Sequence, residues 1–229
     1  LKFFQNHGLF KLKNRPQWYT VATRSRTYVN KIISQISGKH YKNYKVKKIK
    51  RKSSGLDLYY GGENEYFDYD KVILATHADE ALKLIENPTE DEKKILSNFS
   101  YKENEAYIHT DQRAMPSNKK AWSSWNSSID NKNLEKNSIT YWLNLLQNLE
   151  CDENIFLTLN PYLEIDQSKI LKKVKFTHPY FDQSALTYQS KLKNLQNKRN
   201  ILFCGSYFGY GFHEDGIKSS IEMLKTLND

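Results

Sequence analysis

The fold is decided at Ile201-Leu202-Phe203-Cys204-Gly205-Ser206-Tyr207-Phe208-Gly209-Tyr210-Gly211-Phe212-His213-Glu214-Asp215-Gly216. A short apolar run, a glycine-rich turn and the start of a helical pattern follow one another in this stretch. Glycines let a backbone approach a ligand closely, and a helix N-terminus offers unpaired N–H groups. The stretch therefore predicts either a ligand-binding turn or a tight strand-to-helix turn that is capped by Glu214 and Asp215.

The glycine spacing in this turn matches neither G-x-G-x-x-G nor G-x-x-x-x-G-K-[ST]. No G-x-G-x-x-G occurs elsewhere in the chain either. That motif supplies most of a dinucleotide pyrophosphate site. The turn alone thus indicates an anion-binding element and leaves the ligand open.

Two other stretches belong to the same pattern of an apolar strand followed by a helix. Val72 to Ala75 is a continuous apolar run, typical of a strand buried on both faces in a parallel sheet, and a helical pattern follows it. Residues 216–227 continue the glycine-rich turn as a helix with an apolar stripe. Because the chain leaves this layer and returns to it, we expect two interleaved domains. One comprises residues 21–99 and 199–229, and the other comprises residues 1–20 and 100–198.

The first hundred residues contain further local signals. Residues 25–36 predict a helix with Ser25 as N-cap, residues 44–51 predict a strand, and residues 56–60 with 65–67 predict a β-hairpin. Thr89 and Glu92 have the spacing of a capping box at the start of a helix.

From about residue 100 the chain is β-rich and aromatic. The predicted strands are 101–110, 120–126, 138–144, 154–158 and 170–177, and residues 127–137 are predicted as a polar loop. This pattern favours a mixed or antiparallel sheet. Residues 139–149 fit a helix as well as a strand, because their apolar side chains share a helical face.

Composition limits the class of protein. With 229 residues, 38% hydrophobic and 14% aromatic, the chain can bury a core. It shows no membrane span and no secretory signal, so a cytoplasmic location is expected. Cys151 and Cys204 are expected to be buried thiols, and no metal site is predicted. Since the chain begins with Leu1, we expect it to be a fragment.

The net charge of +9 raises the question of an anionic partner. The densest basic run, residues 42–52, alternates cationic and apolar side chains, as a strand with one solvated face does. A solvated strand edge is therefore favoured over a nucleic-acid surface, and no nucleic-acid partner is expected.

The turn and several other stretches together resemble bacterial NAD/FAD-binding proteins of the amine oxidase superfamily, nearly from end to end. The matching stretches are Asn6-His7-Gly8-Leu9, Arg15-Pro16-Gln17-Trp18, Val72-Ile73-Leu74-Ala75-Thr76-His77-Ala78-Asp79, His109-Thr110-Asp111, Met115-Pro116, Ala121-Trp122-Ser123-Ser124-Trp125-Asn126, Thr140-Tyr141-Trp142, Leu157-Thr158-Leu159-Asn160-Pro161, His178-Pro179 and Ile201 to Ser219. The implied fold class is α/β plus α+β. A partial FAD-binding, Rossmann-like domain would be interleaved with a mixed or antiparallel β-sheet substrate domain.

The resemblance implies FAD as the cofactor. The residues that it places at FAD are Val46, Gly205, Ser206, Gly211, Phe212, His213, Glu214, Asp215 and Gly216. Val46 would meet the adenine, and residues 211–216 would meet the flavin ring. Two departures from the family are Ser206, where many relatives have an acidic residue, and Ala22-Thr23-Arg24-Ser25, where relatives tend to have a Gly-Gly pair.

Most of the pyrophosphate site is expected from N-terminal sequence that is missing here. The expected partner is therefore an N-terminal FAD-binding half, in the same or an adjoining chain. Alone, this chain is expected to bind FAD poorly or not at all.

No catalytic residue is assigned from the sequence. His213 is a weaker candidate for proton transfer than for helix capping or cofactor binding, and His77 resembles a hydrogen-bonded group at a strand end. His109 and His178 are candidates for a substrate pocket, with core or turn roles favoured. Flavin chemistry demands no protein nucleophile, so this absence does not count against an enzyme.

Three functional hypotheses follow. The first is an FAD-dependent oxidoreductase of amine-oxidase type that oxidises or desaturates an unidentified small-molecule or lipid-linked substrate. The cationic surface favours anionic lipid over amines and suggests peripheral membrane contact. The second is a non-catalytic binding module that keeps the fold without the cofactor site. The third, a basic nucleic-acid binder, is disfavoured by the dispersed charge.

Overall fold

The computed structural model describes residues 10–14, 17, 19, 21–62, 65–130 and 133–227, which fall into two compact units, 1–42 and 43–229. Most of segment 1–20, which is predicted to join the substrate domain, lies outside the described residues. In the first unit, helix α1 (Ser25–Gln35) confirms the predicted helix. The predicted cap is wrong, because Ser25 is already helical and Arg24 takes the N-cap position without a side-chain hydrogen bond.

The second unit begins with a three-stranded antiparallel meander. Its strands are β1 (Lys48–Arg51), β2 (Leu56–Tyr59) and β3 (Tyr66–Tyr69), in the order β1-β2-β3. The predicted hairpin is confirmed as the β2–β3 pair. β1 covers only the second half of the predicted strand 44–51, and it lies at the edge of its sheet, as the alternation of charges predicted.

The meander leads into a strand and two short helices. These are β4 (Val72–Leu74), α2 (Ala78–Leu84) and α3 (Glu90–Leu96). The predicted capping box is confirmed at the start of α3, where the Thr89 hydroxyl accepts the Glu92 N–H and the Glu92 carboxylate accepts the Thr89 N–H.

The β-rich part forms one five-stranded sheet. Its elements are β5 (Ser100–His109), β6 (Trp125–Asp130), β7 (Asn133–Trp142), α4 (Leu143–Leu146), β8 (Phe156–Leu159) and β9 (Ile170–Tyr180). The strand order is β6-β7-β8-β5-β9, and every pair is antiparallel. The antiparallel alternative from the sequence is therefore confirmed.

Two predicted boundaries in this sheet are wrong. Residues 127–137, predicted as a polar loop, largely form the two arms of the β6–β7 hairpin. Residues 119–121 form a 3₁₀ turn, and the strand predicted over 120–126 starts only at Trp125. Cross-strand pairing overrides the weak strand propensity of Ser and Asn here. The ambiguous stretch 139–149 continues as strand to Trp142 and then turns into α4.

The chain then returns to the first layer through α5 (Gln183–Gln189), β10 (Ile201–Phe203) and α6 (His213–Lys225). β10 pairs with β4 in parallel, which confirms the predicted parallel pairing. All three residues of β10 are buried, as predicted, but Ile73 in the middle of β4 is 45% exposed. The prediction that β4 is covered on both faces is therefore wrong at this residue, because no described element packs over it.

The main core of the second unit lies around the parallel pair. Leu74, Ala81, Leu96, Leu192 and Phe203 are all buried there. Cys204 is buried as predicted, whereas Cys151 is exposed, because it lies in the loop between α4 and β8 rather than in a core segment. Among the described helices, none is both long and apolar enough to cross a bilayer.

Candidate functional site

The carboxyl ends of β4 and β10 lie side by side. The register pairs Val72 with Ile201 and Leu74 with Phe203, so both strands end at the same level. β10 continues into Gly205, and a Cβ atom on Gly205 would lie 3.5 Å from the Thr76 carbonyl oxygen that follows β4. Open α/β sheets bind ligands at this end of their strands. The structure thus brings the glycine-rich turn to the expected place for a ligand.

Gly205 begins the turn in a conformation that other residues adopt rarely. Its φ is 153°, and a Cβ would approach the Tyr207 ring to 2.8 Å. Its N–H donates to the Ser219 hydroxyl at 2.9 Å, and Ser219 donates in turn to the Gly216 carbonyl at 2.7 Å. The start of the turn is therefore tied directly to the first turns of α6.

Asp215 closes the other end of the turn. Its carboxylate accepts the backbone N–H groups of Tyr210 at 2.9 Å and Phe212 at 3.0 Å. A Cβ on Gly209 would collide with this carboxylate, so glycine is needed there. Asp215 thus performs the helix-capping role that the sequence analysis weighed against cofactor binding. Its predicted contact with FAD stays a prediction.

The base of the turn is anchored while its outer side is exposed. The Gln189 side-chain amide, from α5, donates to the carbonyls of Tyr207 and Gly209. Tyr207 is buried, packs edge to face on Phe99 at 5.4 Å, and has its pKa raised strongly by burial. On the outer side, Phe212, His213 and Glu214 are exposed.

Val46 is the predicted site residue that lies outside the turn. It lines an apolar groove of about 330 Å³ that runs along β4 past Ile73 and reaches Thr76. Thr76 also neighbours Gly205, so the groove and the glycine-rich turn meet at this residue. The structure therefore places Val46 on a groove whose other lining residues include Thr76, the neighbour of the turn.

The two outer edges of the parallel pair differ. On β10, the Gln196 side-chain amide accepts the Phe203 N–H at 3.0 Å and donates to the Phe203 carbonyl at 2.8 Å, so this edge is closed. On β4, Val72 and Leu74 bond to the β10 side. Alternate residues of a parallel strand bond to opposite neighbours, so the N–H and C=O of Ile73 point outward. Within the described part of the chain, no strand pairs with this edge.

His77 connects the parallel pair to the antiparallel sheet. Its ring stacks on Tyr101 of β5, with centroids 4.2 Å apart. The Tyr101 hydroxyl accepts the Ala78 N–H at 2.8 Å, and burial raises the pKa of Tyr101 to about 12. These contacts support the structural role that the sequence indicated for His77.

His109 and His178 do not join the glycine-rich turn in a cluster. His109 is buried in the sheet, beside Thr158 and Asp111, and burial lowers its pKa. The His178 ring contacts the Asn104 amide at 3.1 Å. Among the described residues, no group of three His, Cys, Asp or Glu side chains is arranged to hold a metal ion.

The polar cluster around Asp111 was not predicted from the sequence. Asp111 is fully buried, and it accepts hydrogen bonds from the Arg113 guanidinium and from the backbone N–H groups of Arg113 and Asp166. These bonds, above all the one from the Arg113 side chain, hold the pKa of Asp111 well below its usual range. The spacing Asp-x-Arg directly after a strand is a sequence signal that could have revealed this cluster.

No protein-family model and no curated protein matches the chain. Solved structures match its fold. A CLA-producing fatty acid isomerase from P. acnes has a TM-score of 0.60 and 14% identity over 88% of this chain and 51% of that chain. A putrescine oxidase variant has a TM-score of 0.60 and 9% identity, with coverages of 90% and 53%. Cyclohexylamine oxidase from Brevibacterium oxydans IH-35A has a TM-score of 0.52 and 9% identity, with coverages of 81% and 49%.

The predicted resemblance to amine-oxidase-superfamily flavoenzymes is therefore confirmed as a resemblance of fold. At 9 to 14% identity, the likeness shows the fold alone. The chain spans about half the length of the solved structures that it matches, between 49% and 53% in these three.

Proposed function

We propose that this chain is the C-terminal part of an FAD-dependent oxidoreductase. The observation that carries the proposal is the position of the glycine-rich turn at the carboxyl ends of two parallel strands, within a fold that solved amine-oxidase-like flavoenzymes share. When bound, FAD supplies a hydride acceptor. The residues of this chain would bind one side of the cofactor, orient the substrate and exclude water.

The residues present fit part of FAD. A Cβ on Gly216 would meet the Ser206 nitrogen at 3.9 Å, in ordinary van der Waals contact, so the start of α6 packs against the turn at this position. The neighbouring residues Phe212, His213 and Glu214 are exposed and are the ones a ring could reach. The groove beside Val46 is apolar enough for a purine. The chain lacks the glycine motif for the pyrophosphate, and Ser206 replaces a carboxylate that would bind the ribityl chain. This chain accordingly offers half of a cofactor site.

The partner in this proposal is a dinucleotide-binding half that contributes a parallel strand to the outer edge of β4. The outward N–H and C=O groups of Ile73 would pair with that strand, and its exposed side chain would be covered. A G-x-G-x-x-G turn after the added strand would then lie next to Thr76 and Gly205, where the cofactor needs it.

The proposed substrate is a lipid-linked or other apolar small molecule. Trp125, Tyr141 and Leu157 lie side by side on one face of the antiparallel sheet, and Trp125 is 61% exposed. This face offers an apolar wall for a substrate, and the net charge of +9 favours an anionic head group or membrane surface over an amine.

A binding module without flavin chemistry is the second candidate, and Asp215 favours it. Its carboxylate occupies the N-terminal end of α6, where a reduced flavin would otherwise find positive partial charge. In that case the strand partner would dock on β4, but the complex would remain colourless.

The strand-pairing step is tested with Ile73→Pro, which removes the outward N–H while Val72 and Leu74 still pair with β10. Tagged chain is co-expressed with a G-x-G-x-x-G half, and the amount of that half which co-purifies is measured. We expect Ile73→Pro to abolish co-purification and the matched Ile73→Val variant to retain it. Equal recovery with both variants, when circular dichroism shows both to be folded, would refute docking at this edge.

A further inference from the structure

A cavity of about 360 Å³ lies against the polar face of the antiparallel sheet, within the second unit. Its wall includes the hydroxyl side chains of Ser138, Thr140 and Thr158 and one side of Arg113. The apolar part of the wall includes Met115 and Ile165, which are both buried. Small-molecule sites have this size and this combination of apolar walls with a few placed polar groups.

The tautomer of His109 is determined by its neighbours. The Asp111 backbone N–H donates to His109 Nδ1 at 3.1 Å, so Nδ1 carries no hydrogen. His109 is buried and neutral, and its hydrogen therefore sits on Nε2. The Nε2 atom lies 2.8 Å from the Thr158 hydroxyl, which must accept that hydrogen.

Thr140 and Thr158 have one hydroxyl hydrogen each, and within the described part of the chain only one of the two has an acceptor. Thr158 and Thr140 hydroxyl oxygens are 2.9 Å apart, and this single contact uses one of their two hydroxyl hydrogens. Among the described residues, neither hydroxyl has another side-chain or backbone acceptor. Whichever threonine donates to the other, one hydrogen is left over. Both side chains line the cavity, so the spare donor points to its contents.

Arg113 also lines this cavity, and its side chain is 60% exposed. Its Nε and one Nη bond to the Asp111 carboxylate, and the same Nη lies 3.4 Å from the Glu164 carbonyl. The other Nη has no partner among the described residues. A spare hydroxyl and a spare guanidinium N–H together suit a carboxylate, because an ionised carboxyl group only accepts hydrogen bonds.

We infer that this cavity binds a small carboxylic acid as its anion. The carboxylate accepts from the threonine pair and from Arg113, and an apolar body packs on Met115 and Ile165. The inference does not depend on the proposed oxidoreductase activity, because these residues form the site without a cofactor or a second chain.

Isothermal titration calorimetry of the whole chain with octanoate tests this site. Octylamine serves as the matched probe, because its ammonium group has donors and no acceptor. We expect saturable binding of octanoate and none of octylamine. Absence of saturable octanoate binding, or equal binding of both probes, would overturn the inference.

The donors are tested with Thr140→Val/Thr158→Val, which removes both hydroxyls and keeps the side-chain shape. We expect octanoate to bind roughly tenfold or more weakly, and Thr140→Ser/Thr158→Ser, which keeps both hydroxyls, to retain binding. Unchanged affinity in the valine pair contradicts the inference. If the valine pair fails to fold, the serine pair and the octylamine comparison still decide, since lost binding with both hydroxyls present would also contradict it.

Discussion

The buried Asp111 carboxylate accepts hydrogen bonds from the Arg113 guanidinium and from the backbone N–H groups of Arg113 and Asp166. Through these bonds it fixes the start of the 3₁₀ turn at residues 112–114 and the segment around Asp166, which lie on either side of the cavity beside the sheet. The same residue orients His109 through its own N–H. One residue thus joins the polar cluster, through its carboxylate on one side and its backbone N–H on the other.

Asp111→Asn should destabilise the fold by about 1–3 kcal/mol, because the amide cannot accept from all of these donors and leaves buried N–H groups unpaired. The free energy of unfolding in urea measures the effect. Asp152→Asn, at an exposed loop position, is the control and should stay within about 0.5 kcal/mol of the wild type. A loss at Asp111 no larger than that of the control would show that the cluster does not hold the fold.

His109 should make stability depend on pH in mildly acidic solution. Burial lowers the pKa of His109 in the folded chain below the ordinary value of 6.5. As the pH falls through 6.5, the unfolded chain therefore binds a proton at His109 that the folded chain does not yet bind. Stability from this group is therefore complete above about pH 6.5 and is lost below it. Asp111, whose pKa is lowered in the folded chain, adds a further loss at more acidic pH.

Urea midpoints at closely spaced pH values between neutrality and mild acid measure this dependence. In His109→Gln the slope attributable to the histidine should disappear, whatever the variant's absolute stability. Parallel slopes in wild type and variant would contradict the assignment of a buried neutral imidazole.

At the scale of elements, α3 is the helix with the best-defined start. The Thr89–Glu92 capping box satisfies two backbone N–H groups, and the Glu92 carboxylate also pairs with Arg51 of β1. The helix end and the meander are therefore joined through one buried acid.

Thr89→Ala should cost about 1 kcal/mol of stability, since the Glu92 N–H loses its acceptor. Thr89→Ser keeps the hydroxyl and should cost much less. Thermal unfolding followed by circular dichroism compares the two variants, and equal losses would rule out the hydroxyl as the source of the effect.

The glycine-rich turn distinguishes glycines that the fold requires from those that it tolerates. Gly209→Ala should destabilise the chain because its Cβ would collide with the Asp215 carboxylate. Gly216→Ala should leave stability unchanged or raise it by up to about 1 kcal/mol, because the position is helical and the nearest atom lies at 3.9 Å. Equal destabilisation by both, measured as the unfolding midpoint in urea, would contradict the described turn geometry.

Most elements could be predicted from sequence because their signals are local. The capping box, the hairpin at Leu56 to Tyr69, and the apolar runs of β4 and β10 each depend on a few neighbouring residues. The β6–β7 hairpin was missed because its arms are rich in Ser and Asn. Their strand conformation depends on pairing between the arms, such as Ser128 with Ser138, and on the pairing of Ile139 with Leu159 of β8, which lies 20 positions along the chain.

The candidate site was predictable in part for the same reason. The glycine-rich turn is continuous in sequence, so its position after β10 followed from the apolar run. The cluster of Asp111, His109 and Thr158 joins residues about 50 positions apart, and its roles emerge only once β5 and β8 are paired in register. The exposed Ile73 edge likewise becomes visible only when the strand order is known.

At the scale of the whole molecule, the parallel pair has one closed and one open edge among the described residues. The chain spans about half the length of the solved structures that it matches. Both facts agree with a cofactor site that two segments build together. The proposed oxidoreductase therefore depends on the sequence that supplies the pyrophosphate motif.

The absorption spectrum of this chain, purified together with a G-x-G-x-x-G half and dialysed to remove free flavin, decides whether the two halves form a flavin site. We expect flavin absorption in stoichiometric amount with the chain. A folded, colourless complex that takes up no added FAD would contradict the proposed oxidoreductase.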